Sequence, residues 1–264
     1  MADRTRRVEV ALRVAQAGAS VAMDSYREEI ATETKSGPTD LVTEIDRNTQ
    51  ARIVELLGES YPDEPVIGEE ADARKTVPDS GGAWIVDPID GTSNYVHGTR
   101  TWCVSVCCVI DGVCVAAVNC FPALGDTYVA GPETIARNDE PIGVSDTSSL
   151  AGATITPALY GHDGPSEDAA ALATIVEQFG DVRYAGSTQA HLSRVASGAI
   201  DVAVSNVNHH PWDTVAGAYL VKRAGGTVTD LNGNPWDYTA KSLVASNGDL
   251  HEKALAIVGA ALDG

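Results

Sequence analysis

The run Ala83-Trp84-Ile85-Val86 is uninterrupted apolar sequence that stops at Asp87-Pro88-Ile89-Asp90-Gly91-Thr92, and this juncture constrains the chain more than any other segment. A short apolar run bounded by turn formers reads as a buried strand, so Asp87 is delivered to the rigid edge of a sheet and not to a mobile surface. Pro88 forbids ladder pairing at its own nitrogen and stiffens the turn, which limits how far the two carboxylates drift apart. Carboxylate oxygens suit hard cations such as Mg²⁺, which takes one or two protein carboxylates and keeps waters or phosphate in its remaining positions. Gly91-Thr92-Ser93 can open a helix whose N–H groups and dipole favour an anion. Asp-Gly alone is an ordinary turn signal; acids recurring at strand ends elsewhere give these two their weight.

The chain has 264 residues, 44% of them hydrophobic, enough for one large domain or two smaller ones. No apolar run reaches membrane-spanning length, and the opening MADRTRRVEV is charged without the apolar core of a secretory signal, so the expectation is a soluble, cytoplasmic protein with no membrane partner. The five cysteines, at 103, 107, 108, 114 and 120, crowd one apolar segment without zinc-ribbon spacing and read as reduced packing residues. Cys107 and Cys108 are adjacent in a strand, where side chains face opposite ways, and cannot readily pair. A formal net charge of −19, from 37 acids against 18 basic residues, argues against nucleic acid or an anionic membrane as partner. It also opposes a phosphorylated substrate, unless bound divalent cations invert the field locally.

Apolar spacing at Val8, Leu12, Ala15, Ala19 and Ala22 predicts a helix from Arg7 to about Glu28, and a second helix is predicted over Ile45 to Leu57. Between them Lys35 to Asp40 is a loop. Strands are expected at 65–67 and 83–89, then an antiparallel meander from Thr101 to Phe121, turning at Asp111-Gly112, with a shorter run at 127–130. Beyond about residue 145 strand and helix alternate: strands at 153–157, 199–204 and 243–245, and helices at 166–179 with Ser166 as N-cap, 189–196, 215–224 and 251–262. The expected fold class is thus mixed α/β and α+β, with an α+β domain over 1–142 and an α/β domain over 143–264 that supplies Asp213 and a substrate wall.

Acids end apolar strands or open helices at Glu69-Glu70, at Asp87 with Asp90, and at Asp213 in His210-Pro211-Trp212-Asp213, while Asp46 lies near the start of the second helix. The order DLVTEID, GEE, WIVDPIDGTSNYVHG, WDTVAGAYLVKRAGG closely resembles the inositol monophosphatase family over nearly the whole chain. The resemblance implies a layered αβαβα sandwich of the sugar-phosphatase type, a homodimer, and two or three Mg²⁺ ions. Glu69, Asp87 and the carbonyl of Ile89 would hold the first ion; Asp87, Asp90 and Asp213 the second. Asp46 and Thr92 would orient the attacking water, with Glu69 also in the catalytic set, and the amides of Gly91 and Thr92 would receive phosphate. Lys35 resembles a loop residue that closes near the metals, Glu70 a supporting acid, and His97 a scaffold position.

An acid that contacts substrate hydroxyls in inositol-specific members corresponds here to Asn206, which keeps hydrogen bonding but loses the charge. Ser187, Thr188 and Gln189 would line the sugar, and Arg183 or Arg194 would meet a second phosphate. His209 and His210 lack partners at zinc spacing, and Trp84 and Trp212 read as core. The resemblance implies a Mg²⁺-dependent phosphomonoesterase for a small polyol or sugar phosphate, inositol monophosphate or fructose 1,6-bisphosphate. Histidinol phosphate, a nucleotide 3′-phosphate, or a noncatalytic sugar-phosphate-binding regulator are the alternatives. The scattered acids further suggest adaptation to a high-salt cytoplasm, where ions screen self-repulsion. The melting temperature is then expected to climb between low and molar salt in a thermal scan; a flat or falling response removes that idea.

Overall fold

The computed structural model describes residues 2–28, 32–34, 41–70, 73–159 and 165–262. Two compact units emerge. The first comprises Met1–Pro141 with Gly186–Ala190 and Pro211–Tyr219, and the second takes the remaining segments from Ile142 to Gly264. The segments bearing Asp213 and Ser187 to Gln189 group with the first unit.

In the first unit, α1 (Ala2–Asp24) begins five residues earlier than its apolar spacing suggests. Its buried face is Val10, Ala11, Val14, Ala15, Ala19 and Ala22, with Val8 and Leu12 at the margin. The short strands β1 (Thr32–Thr34) and β2 (Leu41–Thr43) pair antiparallel and lead into α2 (Glu44–Ser60). Thr43 caps α2: its side chain accepts from the amides of Ile45 and Asp46, and Asp46 reaches back to the Thr43 amide in a capping box. Then follow β3 (Val66–Gly68), β4 (Gly82–Asp90), the one-turn helix α3 (Thr92–Val96), β5 (Cys103–Ile110), β6 (Val113–Phe121), β7 (Asp126–Ala130), β8 (Ile135–Arg137) and β9 (Glu140–Pro141).

These seven strands form one sheet in sequence order, parallel only between β3 and β4. Asp111 and Gly112 both have positive φ, as a two-residue hairpin matching sheet twist requires. Asn138 and Asp139 repeat that geometry between β8 and β9, extending the meander beyond the expected run. All five cysteines are free thiols. One face of the sheet, including Trp84, Val86, Val106 and Val118, packs with Val14 and Ala15 of α1 and with Ile53 and Leu57 of α2.

The second unit builds a five-stranded sheet from β10 (Thr154–Ala158), β11 (Asp181–Val182), β12 (Val202–Ser205), β13 (Thr227–Thr229) and β14 (Leu243–Ser246), in the order β11-β10-β12-β14-β13. β10 runs parallel to β11 and β12, whereas β14 is antiparallel to its neighbours. α4 (Pro165–Gln178) and α7 (His251–Leu262) supply Ile175, Ala254 and Val258 to its core. Two helix starts differ from expectation. α4 opens at Pro165, which puts Ser166 inside the helix and not at its cap. The helix expected from Val215 instead runs from Pro211 to Arg223, because proline at the first helical position loses only an N–H that has no helical partner. With α5 (Thr188–Ala196) counted, this last helix is α6. Among the described residues, no helix is long and apolar enough to cross a membrane.

The closeness of α1 and α2 depends on Gly18, where an added Cβ would stand 2.7 Å from Ile53 Cδ1. In an isolated helix Gly→Ala stabilises by about 1 kcal/mol. Here Gly18→Ala is expected to destabilise by about 1–3 kcal/mol through overpacking, and Gly18→Ala with Ile53→Val to recover part of the loss, as read from chemical denaturation midpoints.

Candidate active site

Alternation along a strand would send Asp87 and Asp90, three residues apart, to opposite faces. The β4–β5 register prevents this. Asp87 opposes Ser105 and Asp90 opposes Cys103, so β4 spends three steps where β5 spends two. The extra residue is a bulge, placed where Pro88 has no N–H to offer the ladder, and it restores both carboxylates to one side. Asp87 Oδ1 accepts from the Ile89 amide at 3.0 Å across the proline. Next in the chain, Gly91 has φ +88°, and a Cβ there would press on Ser187 Cβ at 3.1 Å and the carbonyls of Gly186 and Thr101 at 3.2 Å. Only glycine meets both demands.

The start of α3 faces the start of α2. Thr92 Oγ1 lies 3.3 Å from Asp46 Oδ1 and 3.0 Å from the Ile89 carbonyl. Asp46 is fully buried, and its other oxygen accepts from the Thr43 amide at 2.8 Å and the Thr43 hydroxyl at 2.6 Å. One carboxylate thus serves as both helix cap and partner of Thr92.

The Gly68-Glu69-Glu70 turn is held by its backbone. Gln50 on α2 grips Glu70 twice, Oε1 accepting from its amide at 2.8 Å and Nε2 donating to its carbonyl at 2.6 Å. Lys75 Nζ donates to the carbonyls of Gly68 and Glu69, both at 2.8 Å, and stands 5.4 Å from the centroid of the Trp212 ring. Neither Gln50 nor Lys75 was singled out from sequence; a polar residue on the buried side of α2 is the one available signal for Gln50.

Asp90 is buried at the N-terminus of α5. Its Oδ2 accepts from the Ser187 hydroxyl and from the Gln189 amide at 3.0 Å, while Ser187 Oγ accepts from the Ala190 amide at 3.1 Å. Ser187 therefore caps α5 and donates to Asp90 at once. Ser187 and Gln189, expected at the sugar, are thus turned to Asp90 and the interior. Gln189 is fully buried, with its side chain bonded to Asn119, the Trp212 carbonyl and the Gly217 amide. Thr188 is half-buried, and its amide also supports Asp90. Asp213 is in the first turn of α6.

Burial above all, then the charges of Glu69, Asp90 and Asp213, push the Asp87 carboxyl well above the usual carboxylate range; Glu69 also hydrogen-bonds it. Burial raises Asp90 to about 7 with help from Asp213, against the opposing Ser187 hydroxyl and the Gln189 and Thr188 amides. Four acids of the first unit therefore feel one another, which is the condition a cation relieves. Among the described residues no three His, Cys, Asp or Glu side chains are gathered tightly enough to cage an ion by themselves. The acids that feel one another offer only oxygen donors, which suit a hard cation such as Mg²⁺ better than the sulfur and nitrogen set of a structural zinc cage.

The other expected residues lie apart from this cluster in the chain. Lys35 is outside the described residues. In the second unit, Asn206 Nδ2 donates to Asp168 Oδ1 at 3.3 Å, Arg183 is exposed and paired with Asp181 at 2.7 Å, and Arg194 lies in the last turn of α5. His209 Nε2 meets Ser205 Oγ at 2.7 Å. His97 is exposed, its Nδ1 2.7 Å from the Ser93 carbonyl. Trp84 and Trp212 are both buried in the core, as expected, with Lys75 Nζ over the Trp212 ring.

Comparison with known proteins places this geometry in context. The inositol monophosphatase family profile matches residues 3–262. The chain is 34% identical to the fructose-1,6-bisphosphatase/inositol-1-monophosphatase of Thermotoga maritima, over 86% of this chain and 85% of that one. It is 31% identical to a histidinol-phosphatase of Chlorobaculum parvum, over 96% of each. A solved structure of an IMPase from Thermotoga maritima superposes with a TM-score of 0.89 at 30% identity, covering 98% of both chains, and so shares the mixed layered fold.

The raised acids generate a pH dependence. Asp90 holds its proton in the folded chain up to about 7, whereas the unfolded carboxyl releases it near 3.8. Between these values the folded state binds more protons, so stability is present at the acid end and is lost as pH rises. In chelator, the unfolding free energy is expected to decline from about pH 4 to 7, and Asp90→Asn to make that decline shallower, in denaturant titrations at each pH.

Proposed function

Because the chain belongs to the inositol monophosphatase family, whose relatives above are named as phosphatases, we propose that it is a Mg²⁺-dependent phosphomonoesterase acting on a small polyol or sugar phosphate. The observation that carries this reading is the assembly, within one compact unit, of the Asp46–Thr92 pair with Glu69, Asp87, Asp90 and Asp213.

In this reading Glu69, Asp87 and the Ile89 carbonyl would hold one ion, and Asp87, Asp90 and Asp213 would hold another. Bound Mg²⁺ supplies charge neutralisation at the phosphoryl oxygens and a lowered pKa for water. The rest is work for the chain. Thr92 Oγ1 can accept a hydrogen bond from water while its own proton points to Asp46 Oδ1, so the pair orients the nucleophile and passes a proton toward the buried carboxylate. Capping of α2 by Thr43 keeps Asp46 in that pose. The left-handed turn at Gly91 presents the Gly91 and Thr92 amides for phosphate. Positioning and charge neutralisation suffice for a loose phosphoryl transition state, without a covalent enzyme intermediate.

For the substrate, a polyol or sugar phosphate is supported by the likeness to the fructose-1,6-bisphosphatase/inositol-1-monophosphatase of Thermotoga maritima. Histidinol phosphate is a second candidate, since one relative is a histidinol-phosphatase. Release of inorganic phosphate from inositol monophosphate, fructose 1,6-bisphosphate, histidinol phosphate and a nucleoside 3′-phosphate, each with and without Mg²⁺, identifies the reaction and ranks the substrates. At least one is expected to be hydrolysed only with Mg²⁺, and Asp213→Asn to lower kcat by about 100-fold or more, the scale of losing one charge-stabilising group. No release from any, in adequate salt, would leave a noncatalytic sugar-phosphate-binding regulator as the better reading.

A further inference from the structure

Gln189 is more deeply engaged than a residue of a substrate wall. No part of it reaches solvent, and four hydrogen bonds engage it. Its main-chain N–H donates to Asp90 Oδ2 at 3.0 Å. Its side-chain Nε2 donates at 2.8 Å to the carbonyl of Trp212, the residue just before Asp213. Oε1 accepts from the Gly217 amide, one turn along the same helix, and from Asn119 Nδ2, both at 2.8 Å. Asn119 is itself fully buried on β6, in the cross-strand row that runs Asp87, Ser105, Asn119. One residue therefore ties the partner of Asp90 to the helix turn that carries Asp213, and anchors both on the sheet that carries Asp87.

The side chain is specific for these tasks. An amide is the one neutral group of this length that gives a proton to a carbonyl and receives two from amides. Glutamate keeps the length and the acceptor but loses the donor to Trp212 and brings charge beside Asp90. Asparagine is one methylene shorter. An apolar residue removes a partner from three buried polar groups, where such losses are felt most.

We infer that Gln189 is a positioning residue that sets Asp90 and Asp213 relative to one another, and with them the site's grip on a divalent cation, without touching substrate. The inference rests on the reading that these two acids hold Mg²⁺. Outer groups that orient ligands commonly govern about 10–100-fold in metal affinity. A merely structural glutamine would lower the melting temperature and leave the magnesium response where it was.

The full-length wild type, Gln189→Leu and Asn119→Ala are compared in two measurements: the rise in melting temperature against MgCl₂ without substrate, and kcat and KM for phosphate release at several Mg²⁺ concentrations. For Gln189→Leu the half-saturating Mg²⁺ is expected to increase about tenfold or more in both, with kcat partly restored by excess Mg²⁺ and substrate KM held within about twofold. Asn119→Ala, which removes one of the two donors to Oε1 from a neighbouring strand, is expected to shift it in the same direction by roughly threefold. An unchanged magnesium requirement in folded Gln189→Leu, or in Asn119→Ala where the leucine variant does not fold, overturns the inference alone. A wild type whose melting and turnover both ignore Mg²⁺ overturns the metal reading and the inference with it.

Discussion

The end of β4 concentrates negative charge where water cannot screen it, and much of the first unit can be understood as the arrangement that makes this tolerable. Asp87 and Asp90 are both almost wholly buried, and Asp87 feels three further carboxylates. An isolated buried carboxylate costs far more than any single hydrogen bond returns, so such a cluster persists only with fixed dipoles, shared protons or a cation. The surrounding sequence supplies the first of these. Backbone amides of Ile89, Thr188 and Gln189 and the hydroxyl of Ser187 all point at the two acids.

Rigidity follows from the same requirement. Donors stabilise a charge only if they stay aimed at it, and here much of the aiming is done by residues outside the proposed ligand set. Gln50 and Lys75 hold the backbone of the Glu69 turn, Thr43 holds Asp46, and Gln189 holds the first turn of α6. Gln50, Thr43 and Gln189 are buried and Lys75 is exposed, yet all four are bonded to main chain or to a helix cap, so each fixes a backbone path and not just a side-chain rotamer. The price of this arrangement is a series of positions, Gly91 foremost, at which no side chain is admissible.

Much of this was legible in the sequence, and the limits of legibility are physical. Apolar periodicity located α1, α2, the β5–β6 hairpin and the central acids, because burial imposes period on side chains. Family resemblance paired Asp46 with Thr92, and the two do meet. Missed were features that depend on partners far away in the chain. The helix expected from Val215 left out Pro211, because proline ends helices more visibly than it begins them, and so began two residues after Asp213, which sits in the first turn of α6. Ser187 and Gln189 read as substrate contacts because polar residues beside a proposed site are ordinarily turned toward solvent; their commitment to Asp90, Asn119 and Trp212 spans about 20 to 100 positions of sequence. Short strands such as β8 and β13 carry too few residues to show a period.

Asp87 and Asp90 share a strand end but not an environment, and the difference divides their roles. Around Asp90 the pull of burial is opposed by three donors at the start of α5, where the helix dipole also favours a negative charge, and its carboxyl settles near 7. Around Asp87 the principal influences all act in one direction, with Glu69, Asp90 and Asp213 adding their charge to complete burial. Protein dipoles therefore offset part of the burial of Asp90, whereas the charges facing Asp87 add to its burial, so Asp87 is the acid that positive charge would relieve most. The demand for a cation is then concentrated on the residue that the proposed reading places between the two metal positions, and it arises from the company Asp87 keeps as much as from its own chemistry.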